Sequence, residues 1–522
     1  MTSFPLALRT GRSPAALSLA VLGLVATAGC TVANSSSNES SAQTGTVRIV
    51  LPQEPPTLEP CESTLTSTGV VVRSNITEPL LERNPTSGGL EPLLATKWEQ
   101  SAPNVWTFTL RQGVKFQDGS DFTAEDAVAS FDRAVNNSAL ACTVKGYVFD
   151  EDPLVLKAVD ATTLTVETKQ PDPLLPLRAS FVEIVPAETS AKEKVREPVG
   201  TGPYKVAKWD AGQKLTLEAF PGYWGDKPGF GRAEYQWRDE GSVRAAMIVN
   251  GEADIATNLG SDDGAGDKGI AYPNNETTAL RISTGEAPLN DIRIREAIDL
   301  SVDRDGIVKT LFANLGKPAS QLIGPGVVGY NDALKPTPYD PHRAKQLVAE
   351  AKAAGVPVDK QIRLIARTAQ FPKIAETVEL VQSALADAGL NVKIEMLDTS
   401  AQLKYQQKPY PPNAGPYMVL VQHGNQAGDA AFTVDQYYKT DGAQSANGSV
   451  ELDNMIDKAG ALLDDARQVA FADVFKYQNE KIRGFVFIAN MSGVLGRGDK
   501  VDYHPDAATG DEMRLSQMKP KG

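Results

Sequence analysis

Strand-like and helix-like segments alternate along most of the 522 residues of this chain. Residues 46–51 alternate apolar with polar side chains, and residues 105–110 and 164–168 are rich in β-branched and aromatic residues, as β-strands are. Between the last two segments, Thr123 is a helix-capping residue and Asp126 has the spacing of a reciprocal capping box. This alternation predicts an α/β fold.

The same alternation continues in the second half of the chain. Residues 361–366 have the pattern of a strand, residues 375–388 that of a helix ended by Gly389, and residues 392–396 that of a second strand. Together they predict a βαβ unit. Because a chain of this length exceeds what one hydrophobic core usually holds, we expect two or three lobes.

The composition is that of an ordinary globular protein, with 41% hydrophobic and 22% charged residues. The formal net charge is −13, and the sequence pI is about 5.0. A surface of this sign repels nucleic-acid phosphates, so we expect no nucleic-acid partner.

The N-terminus predicts export. Arg9 and Arg12 form a basic region, residues 15–28 form an apolar run, and small residues precede Cys30. This stretch resembles a bacterial lipoprotein signal, in which the cysteine is acylated and becomes the first residue of the mature chain. Thr27 departs from that pattern, where Leu, Val or Ile is commoner. The alternative is an ordinary cleaved secretory signal with an incidental cysteine.

We therefore expect residues 1–29 to be a signal peptide and residues 30–45 to be a flexible tether. The tether is rich in Ser, Asn and Thr, a composition that cannot bury enough apolar area to fold. No later apolar stretch is long enough to span a membrane. The lipid on Cys30 would then anchor an extracytoplasmic protein to the outer face of the cytoplasmic membrane.

Two further cysteines, Cys61 and Cys142, complete the set of three. An exported compartment permits them to form a disulfide, but the sequence does not show whether their Cα atoms lie close enough together. Two buried free thiols are the alternative, and both possibilities stay open at this point.

Five segments carry motifs in a fixed order along the chain: residues 108–131 (FTLRQGVKFQDGSDFTAEDAVASF), 199–206 (VGTGPYKV), 223–228 (YWGDKP), 251–255 (GEADI) and 291–298 (DIRIREAI). These motifs resemble those of the family 5 extracytoplasmic solute-binding proteins, which bind peptides, opines and nickel chelates for ABC importers. The resemblance extends from about residue 46 to about residue 500. Read by themselves the motifs are mainly structural; Tyr223 and Trp224, for example, are expected to anchor their loop on the core.

The resemblance implies a two-lobed periplasmic-binding-protein-like fold with a ligand cleft between the lobes and a hinge. Lobe one would comprise residues 46–285 and 487–522, and lobe two would comprise residues 286–486, with crossings near 283–287 and 484–490. It also implies a monomeric receptor, without cofactor, that delivers a peptide or another small polar ligand to ABC permease and ATPase subunits.

The segment that follows the first strand is the first candidate for ligand contact, because the resemblance implies that it passes the cleft. Here it contains Thr57, Leu58 and Glu59. Backbone groups of this segment could pair with an extended peptide as an added strand. The alternative is a plain loop.

The second candidate segment contains His423, Gly424, Asn425, Gln426 and Asp429. Peptide binders of the family carry a Gly-Trp-x-x-Asp pattern shortly before Gly-Asp-Pro, and its first Asp pairs with the free α-ammonium of the peptide. In this chain the alignment places His423 at the Trp and Gln426 at that Asp. A neutral amide cannot compensate a buried ammonium. Either Asp429 replaces it, or the ligand is not held through a free amine.

Peptide binding is the first hypothesis, and an opine, a sugar conjugate or a metal chelate is the alternative ligand. The chain has only three histidines, His342, His423 and His504, so a metal site built by the protein is not expected, and His423 is interpreted as a structural histidine. The sequence contains no Gly-x-Ser-x-Gly, His-Glu-x-x-His or Cys-x-x-Cys motif, so we expect no enzyme. A secreted hydrolase or a ligand sensor is the alternative of another class.

Overall fold

The structure is a computed structural model that describes residues 45–84, 89–149, 152–368, 370–371, 373–425, 427–505 and 512–521. The predicted signal peptide, the tether up to residue 44 and the predicted lipid site at Cys30 lie outside these residues. Within the described ranges, no helix has both the length and the apolar character needed to cross a membrane.

The described part of the chain forms 21 strands. They are β1 Thr46–Leu51, β2 Glu78–Pro79, β3 Leu81–Arg83, β4 Leu90–Pro92, β5 Ala95–Ala102, β6 Val105–Leu110, β7 Val155–Asp160, β8 Thr163–Glu167, β9 Glu183–Ile184, β10 Tyr204–Asp210, β11 Lys214–Ala219, β12 Arg232–Trp237, β13 Ile255–Leu259, β14 Gly269–Ile282, β15 Gly316–Pro318, β16 Ile362–Arg367, β17 Val392–Leu397, β18 Tyr417–Gly424, β19 Phe485–Arg497, β20 Val501–Asp502 and β21 Lys519–Pro520.

Thirteen α-helices lie in the same residues. They are α1 Thr66–Val72, α2 Ala124–Phe131, α3 Val144–Tyr147, α4 Leu175–Ala179, α5 Gly241–Val249, α6 Ile292–Ser301, α7 Arg304–Thr310, α8 Pro341–Ala353, α9 Ile374–Asp387, α10 Thr399–Gln406, α11 Ala431–Tyr437, α12 Val450–Gly460 and α13 Asp464–Tyr477. The strands and helices predicted from the sequence are confirmed within one residue at each end. The capping box is confirmed too, since the backbone N–H of Thr123 donates to the Asp126 carboxylate over 2.8 Å.

One sheet of 11 strands connects most of these elements, in the order β10-β11-β12-β1-β13-β19-β14-β18-β16-β17 with β15 on β19. On one side of the sheet β1 is parallel to β12 and β13, and on the other side β16 is parallel to β17 and β18. The long antiparallel strands β14 and β19 join the two sides.

The pairing of β14 with β19 changes register where the chain passes from one side to the other. Pro273 is opposite Ser492, and pairing resumes with Thr277 opposite Asn490; a second irregularity follows between Thr278 and Ala279. We call residues 45–273 and 492–521 lobe one, and residues 277–490 lobe two. The lobe boundaries predicted from the sequence, near residues 285 and 487, stay a prediction. Compared with them, the change of register lies about ten residues earlier in the chain on β14 and a few residues later on β19.

Lobe two has helices on both faces of its part of the sheet. Buried residues of α6, α8 and α9, such as Ile298, Leu347 and Val378, pack on one face. Buried residues of α11 and α13, such as Val434 and Phe475, pack on the other face. Lobe one adds a four-stranded antiparallel sheet in the order β5-β6-β8-β7, with α2 in the same hydrophobic cluster.

Cys61 and Cys142 are joined by a disulfide, with their Cα atoms 5.3 Å apart. The bond links the segment after β1 to the segment after α2, and both half-cystines are buried in the hydrophobic cluster of the four-stranded sheet. Of the two possibilities left open by the sequence, the structure has the bridged one.

Loss of this bond should destabilise lobe one. The disulfide closes a loop with a sequence separation of 81, and the chain-entropy model assigns such a bridge about 4–5 kcal/mol. We expect the double variant Cys61→Ser/Cys142→Ser to unfold at a clearly lower urea concentration than the oxidised protein. A reducing agent should lower the midpoint of the oxidised protein and leave that of the variant unchanged; equal midpoints for all samples would contradict the expectation.

Two buried carboxyl groups lie side by side on β2 and β9, in lobe one. Glu78 accepts hydrogen bonds from Thr201 Oγ1, Tyr223 Oη and Trp224 Nε1, at 2.7–2.8 Å, so the loop of Tyr223 and Trp224 is held on the core as predicted. Burial raises the pKa of Glu78 to about 7. Burial also raises the pKa of Glu183 to about 8, against the opposing effect of Arg73.

These pKa values predict that the protein loses stability as the pH rises. A raised pKa means that the folded state binds the proton more tightly than the unfolded state does. The contribution of the two carboxyl groups to the free energy of unfolding is therefore complete below their ordinary pKa of 4.5 and disappears as the pH passes 7–8. We expect the free energy of unfolding to fall by about 3 kcal/mol or more between pH 5 and pH 9, measured by urea denaturation. Glu78→Gln should flatten the profile, and a wild-type curve that rises with pH would contradict this assignment.

Candidate functional site in the cleft between the lobes

The parallel strands of both lobes end at the boundary between the lobes. In open α/β sheets, ligands bind outside the carboxyl ends of parallel strands, where successive connections leave toward opposite faces. Lobe two has such a point between β16 and β18. The helix that follows β16, α9, packs on one face through Val381, and the helix that follows β18, α11, packs on the other face through Tyr437. A crevice is therefore expected at Arg367 and Gly424, the last residues of the two strands.

A cavity of about 300 Å³ lies at this place. Lobe one contributes the end of β13 and the residues after it, and the long strands β14 and β19 contribute residues near their change of register. Lobe two contributes the segment after α7, the end of β16 and the side chain of Gln422. The lining residues are Asn258, Leu259, Gly260, Ser261, Tyr272, Asn274, Glu276, Leu311, Phe312, Leu315, Arg367, Gln370, Phe371, Gln422, Met491, Ser492 and Gly493.

Among the described residues that line the cavity, the polar side chains are one cation, one carboxylate, four amides and three hydroxyls. The Arg367 side chain is half-buried, and its guanidinium makes no hydrogen bond or ion pair with any residue that the structure describes. Gln370 Oε1 is buried and has no hydrogen-bond partner in the described part of the chain. Glu276 Oε2 accepts from Asn274 Nδ2 at 2.7 Å and from Gln422 Nε2 at 2.6 Å.

The first predicted contact segment lies inside lobe one. Leu58 and Glu59 are completely buried. The Glu59 carboxylate accepts from Arg133 Nη1 and Nη2 at 2.5 and 2.8 Å and from the backbone N–H of Val195 at 2.8 Å. Thr57 Oγ1 accepts from the backbone N–H of Glu59. Ligand contact by Thr57, Leu58 and Glu59 stays a prediction, but the Leu58 and Glu59 side chains are committed to the interior and do not line the cavity.

Asp429, in the second predicted segment, is likewise committed to a buried ion pair. It is 3% exposed, and its two carboxylate oxygens accept from Arg467 Nη2 and Nε, each at 2.7 Å. Oδ1 also accepts from the backbone N–H of Ala431 at 2.9 Å. Ligand contact by Asp429 stays a prediction, but the guanidinium of Arg467 already neutralises its carboxylate.

The other members of the second segment also have structural partners. His423 Nε2 lies 2.6 Å from Thr433 Oγ1, and burial lowers its pKa to about 4, so its imidazole is neutral near pH 7. Its role, structural or in ligand contact, stays a prediction. Asn425 is buried, and its amide bonds to its own loop. Gly424 ends β18, and Gln426 lies outside the described residues.

Sequence reasoning missed the residues that line the cavity, including Arg367, Glu276 and Gln422. A signal for Arg367 was present, since it directly follows the first strand of the predicted βαβ unit and ligand sites form at the carboxyl ends of such strands. No local pattern distinguishes Glu276 or Gln422 from other polar strand residues.

Replacing Asp429 tests whether it stabilises the fold or binds ligand. We expect Asp429→Asn to lower the free energy of unfolding by about 3–5 kcal/mol without any ligand present, since the buried Arg467 would lose its partner. Asp457→Asn, which breaks the exposed pair with Lys439, is the matched control and should cost less than about 1 kcal/mol. Unchanged urea denaturation of Asp429→Asn, together with weaker binding of amines, would restore a ligand role for Asp429.

Comparison with known proteins supports the fold and identifies the family. The family model described as "Bacterial extracellular solute-binding proteins, family 5 Middle" matches residues 89–445. A periplasmic binding protein, DppA from Helicobacter pylori in complex with the peptide STSA, has the same fold, with a TM-score of 0.75 and 21% identity over 92% of this chain and 99% of that one. The predicted two-lobed α/β fold is therefore confirmed.

Two curated relatives from Escherichia coli match part of the chain. The glutathione-binding protein GsiB of strain O157:H7 is 29% identical over 324 residues, which are 59% of this chain and 61% of that protein. The dipeptide-binding protein of strain K12 is 30% identical over 347 residues, which are 60% of this chain and 64% of that protein. The matches thus span less than two thirds of these relatives. The family model covers more than half of the chain, and the chain belongs to family 5 of the bacterial extracellular solute-binding proteins.

Proposed function

We propose that this protein is the extracytoplasmic receptor of an ABC importer, which closes its two lobes on a small polar ligand and delivers it to permease and ATPase subunits. The observation that carries the proposal is a cavity between the lobes that is lined by Arg367, whose guanidinium has no partner among the residues that the structure describes. A cavity of about 300 Å³ lies at the lower end of the size range of small-molecule sites, so it suits a ligand of the size of a di- or tripeptide.

The charges in the cavity favour a ligand that carries a carboxylate. A guanidinium binds carboxylates through paired, charge-assisted hydrogen bonds, and these strengthen when lobe closure excludes water. For a peptide, the terminal carboxylate would bind Arg367. The ammonium would lie toward Glu276, because Asp429 is neutralised by Arg467. Gln370 Oε1 supplies an acceptor for a backbone N–H of the ligand.

A non-peptide anion is the second candidate ligand, and the buried Asp429–Arg467 pair is the observation that favours it. In the described part of the loop after β18, the carboxylate of Asp429 is already paired with Arg467 and is not available to an α-ammonium. An opine, a sugar conjugate or a metal chelate with a carboxylate group would bind Arg367 and would not require a protein carboxylate to bind an ammonium.

The location of the receptor is part of the same proposal. The lipoprotein-like N-terminus supports an anchor through Cys30 on the outer face of the cytoplasmic membrane. The buried disulfide supports an oxidising compartment outside the cytoplasm. We propose that the receptor acts as a monomer, since one chain contributes both lobes of the cleft.

The ligand can be identified by native mass spectrometry of the full-length protein purified in detergent, followed by calorimetry with di- and tripeptides. A bound molecule should be released intact, since the proposed receptor binds without turnover. Peptide hydrolysis by the purified protein, with loss of the bound species, would favour the hydrolase alternative.

Arg367→Gln should weaken the binding of any carboxylate ligand by about 10- to 100-fold, because a hydrogen bond to a charged group contributes about 1.5–3 kcal/mol. The measurement is calorimetry with a peptide that binds the wild type and with its C-terminal amide. The wild type should discriminate between the two, and Arg367→Gln should not. Arg232→Gln, on the exposed start of β12, is the matched control and should behave as the wild type. Equal affinity of wild type and Arg367→Gln for the free acid would rule out this carboxylate site.

A further inference from the structure

The loop that follows β18 is a lobe-two segment that packs against lobe one. We call residues 425 and 427–432 the docking loop. Ala427 is buried in the hydrophobic cluster that otherwise consists of lobe-one residues such as Leu81 and Leu175. Phe432 packs against the same cluster, and its ring lies 5.3 Å from the guanidinium carbon of Arg178 in lobe one.

Gly428 lies directly against Arg83 of lobe one. A Cβ atom at this position would lie 2.3 Å from Arg83 Nη2 and 2.9 Å from Arg83 Cζ, so a side chain here would displace the guanidinium of Arg83. Gly428 also has a φ of +74°, in the region that glycine adopts without strain. The docking loop is thus fitted to the surface of lobe one in the structure.

The docking loop is internally organised by the side chain of Asn425. Asn425 Oδ1 accepts from the backbone N–H of Gly428 at 2.8 Å, and Nδ2 donates to the carbonyl of Asp429 and to Thr433 Oγ1, each at 2.8 Å. The Asp429 carboxylate is fixed by Arg467. Backbone hydrogen bonds of Val328 with Gly428 and Ala430, each at 2.9 Å, also hold the loop, so these bonds tie it together as one piece within lobe two.

Asn425 is bonded to the point where β14 passes from one lobe to the other. Its backbone N–H donates to the carbonyl of Asn275 over 3.4 Å, and Asn275 Nδ2 donates to the carbonyl of Asn425. Asn275 lies inside the change of register between Pro273 and Thr277 and has a φ of +59°, in the left-handed region that asparagine tolerates better than most residues.

We propose that Asn275 is a positioning residue that couples rotation of the lobes to the packing of the docking loop on lobe one. A rotation of the lobes about the change of register alters the backbone angles near Asn275. Since Asn275 holds Asn425 from both its backbone and its side chain, that rotation carries the loop away from Arg83 and Arg178. The inference rests on the proposed closure of the two lobes and assigns the docking loop to the closed state, in addition to any contact with ligand.

The test is hydrogen exchange of the full-length protein in detergent, read by mass spectrometry without ligand. Asn275→Gly keeps the left-handed backbone accessible and removes the side-chain bond to Asn425. We expect the backbone amides of Gly428 and Ala431 to exchange at least tenfold faster than in the wild type. The matched control is Asn413→Gly, the same change at an exposed residue with a φ of +57°, and it should leave the loop protected.

Asn275→Asp keeps the size and the left-handed tolerance but replaces the donor with an acceptor, so it should release the loop as well. It decides the question if Asn275→Gly does not fold, as judged by circular dichroism. Protection of Gly428 and Ala431 equal to that of the wild type, in a folded Asn275 variant, would overturn the proposal.

Coupling is reciprocal, so loosening the loop from its other end should affect the lobes. We expect Phe432→Ala and Asn275→Gly to increase the radius of gyration of the ligand-free protein in small-angle scattering, whereas Asn413→Gly should not. A merely local role of Asn275 would leave the radius unchanged and would contradict the coupling. Neither measurement uses ligand. A result that contradicts the coupling is therefore distinct from a result that contradicts the proposed ligand binding.

Discussion

The pairing of β14 with β19 is the interaction on which the rest of the structure depends. These two strands carry the sheet through both lobes, and every other strand of the large sheet is attached to one side or the other of this pair. Their change of register between Pro273 and Thr277 leaves a few residues outside the regular ladder. A break of this kind allows two lobes to share one sheet and still rotate, because few backbone hydrogen bonds resist the rotation.

The candidate ligand cavity lies at this break for the same reason. The parallel strands of both lobes point their carboxyl ends toward the crossing strands, so the polar residues that follow β13 and β16 meet beside β14 and β19. Arg367 is left without a partner in the described residues, whereas Arg133 and Arg467 are buried against carboxylates. A buried charge without a partner costs several kcal/mol. An anion in the cavity would neutralise the half-buried guanidinium of Arg367, and this side chain is therefore the one best placed to bind an anion.

Much of the local structure could be predicted from sequence. The capping box at Thr123 and the βαβ unit ending in β17 depend on neighbours only three to about thirty residues apart, so their patterns are visible in the chain. The candidate site was harder to predict. Glu59 and Asp429 fall in segments that a family resemblance places at the cleft, yet each is bound to an arginine 74 or 38 positions away. A carboxylate has the same local pattern whether its partner is a ligand or a buried guanidinium.

The sequence by itself determined the alternation of strands and helices and the family, because these depend on periodicity and short motifs. It also predicts export, from the pattern of its N-terminus. Only the tertiary structure decided that Cys61 and Cys142 are bridged, that Asp429 is neutralised and that Arg367 faces a cavity. The availability of a charged group depends on which partners the fold brings within hydrogen-bond distance. Those partners come from distant parts of the chain, so no local pattern specifies them.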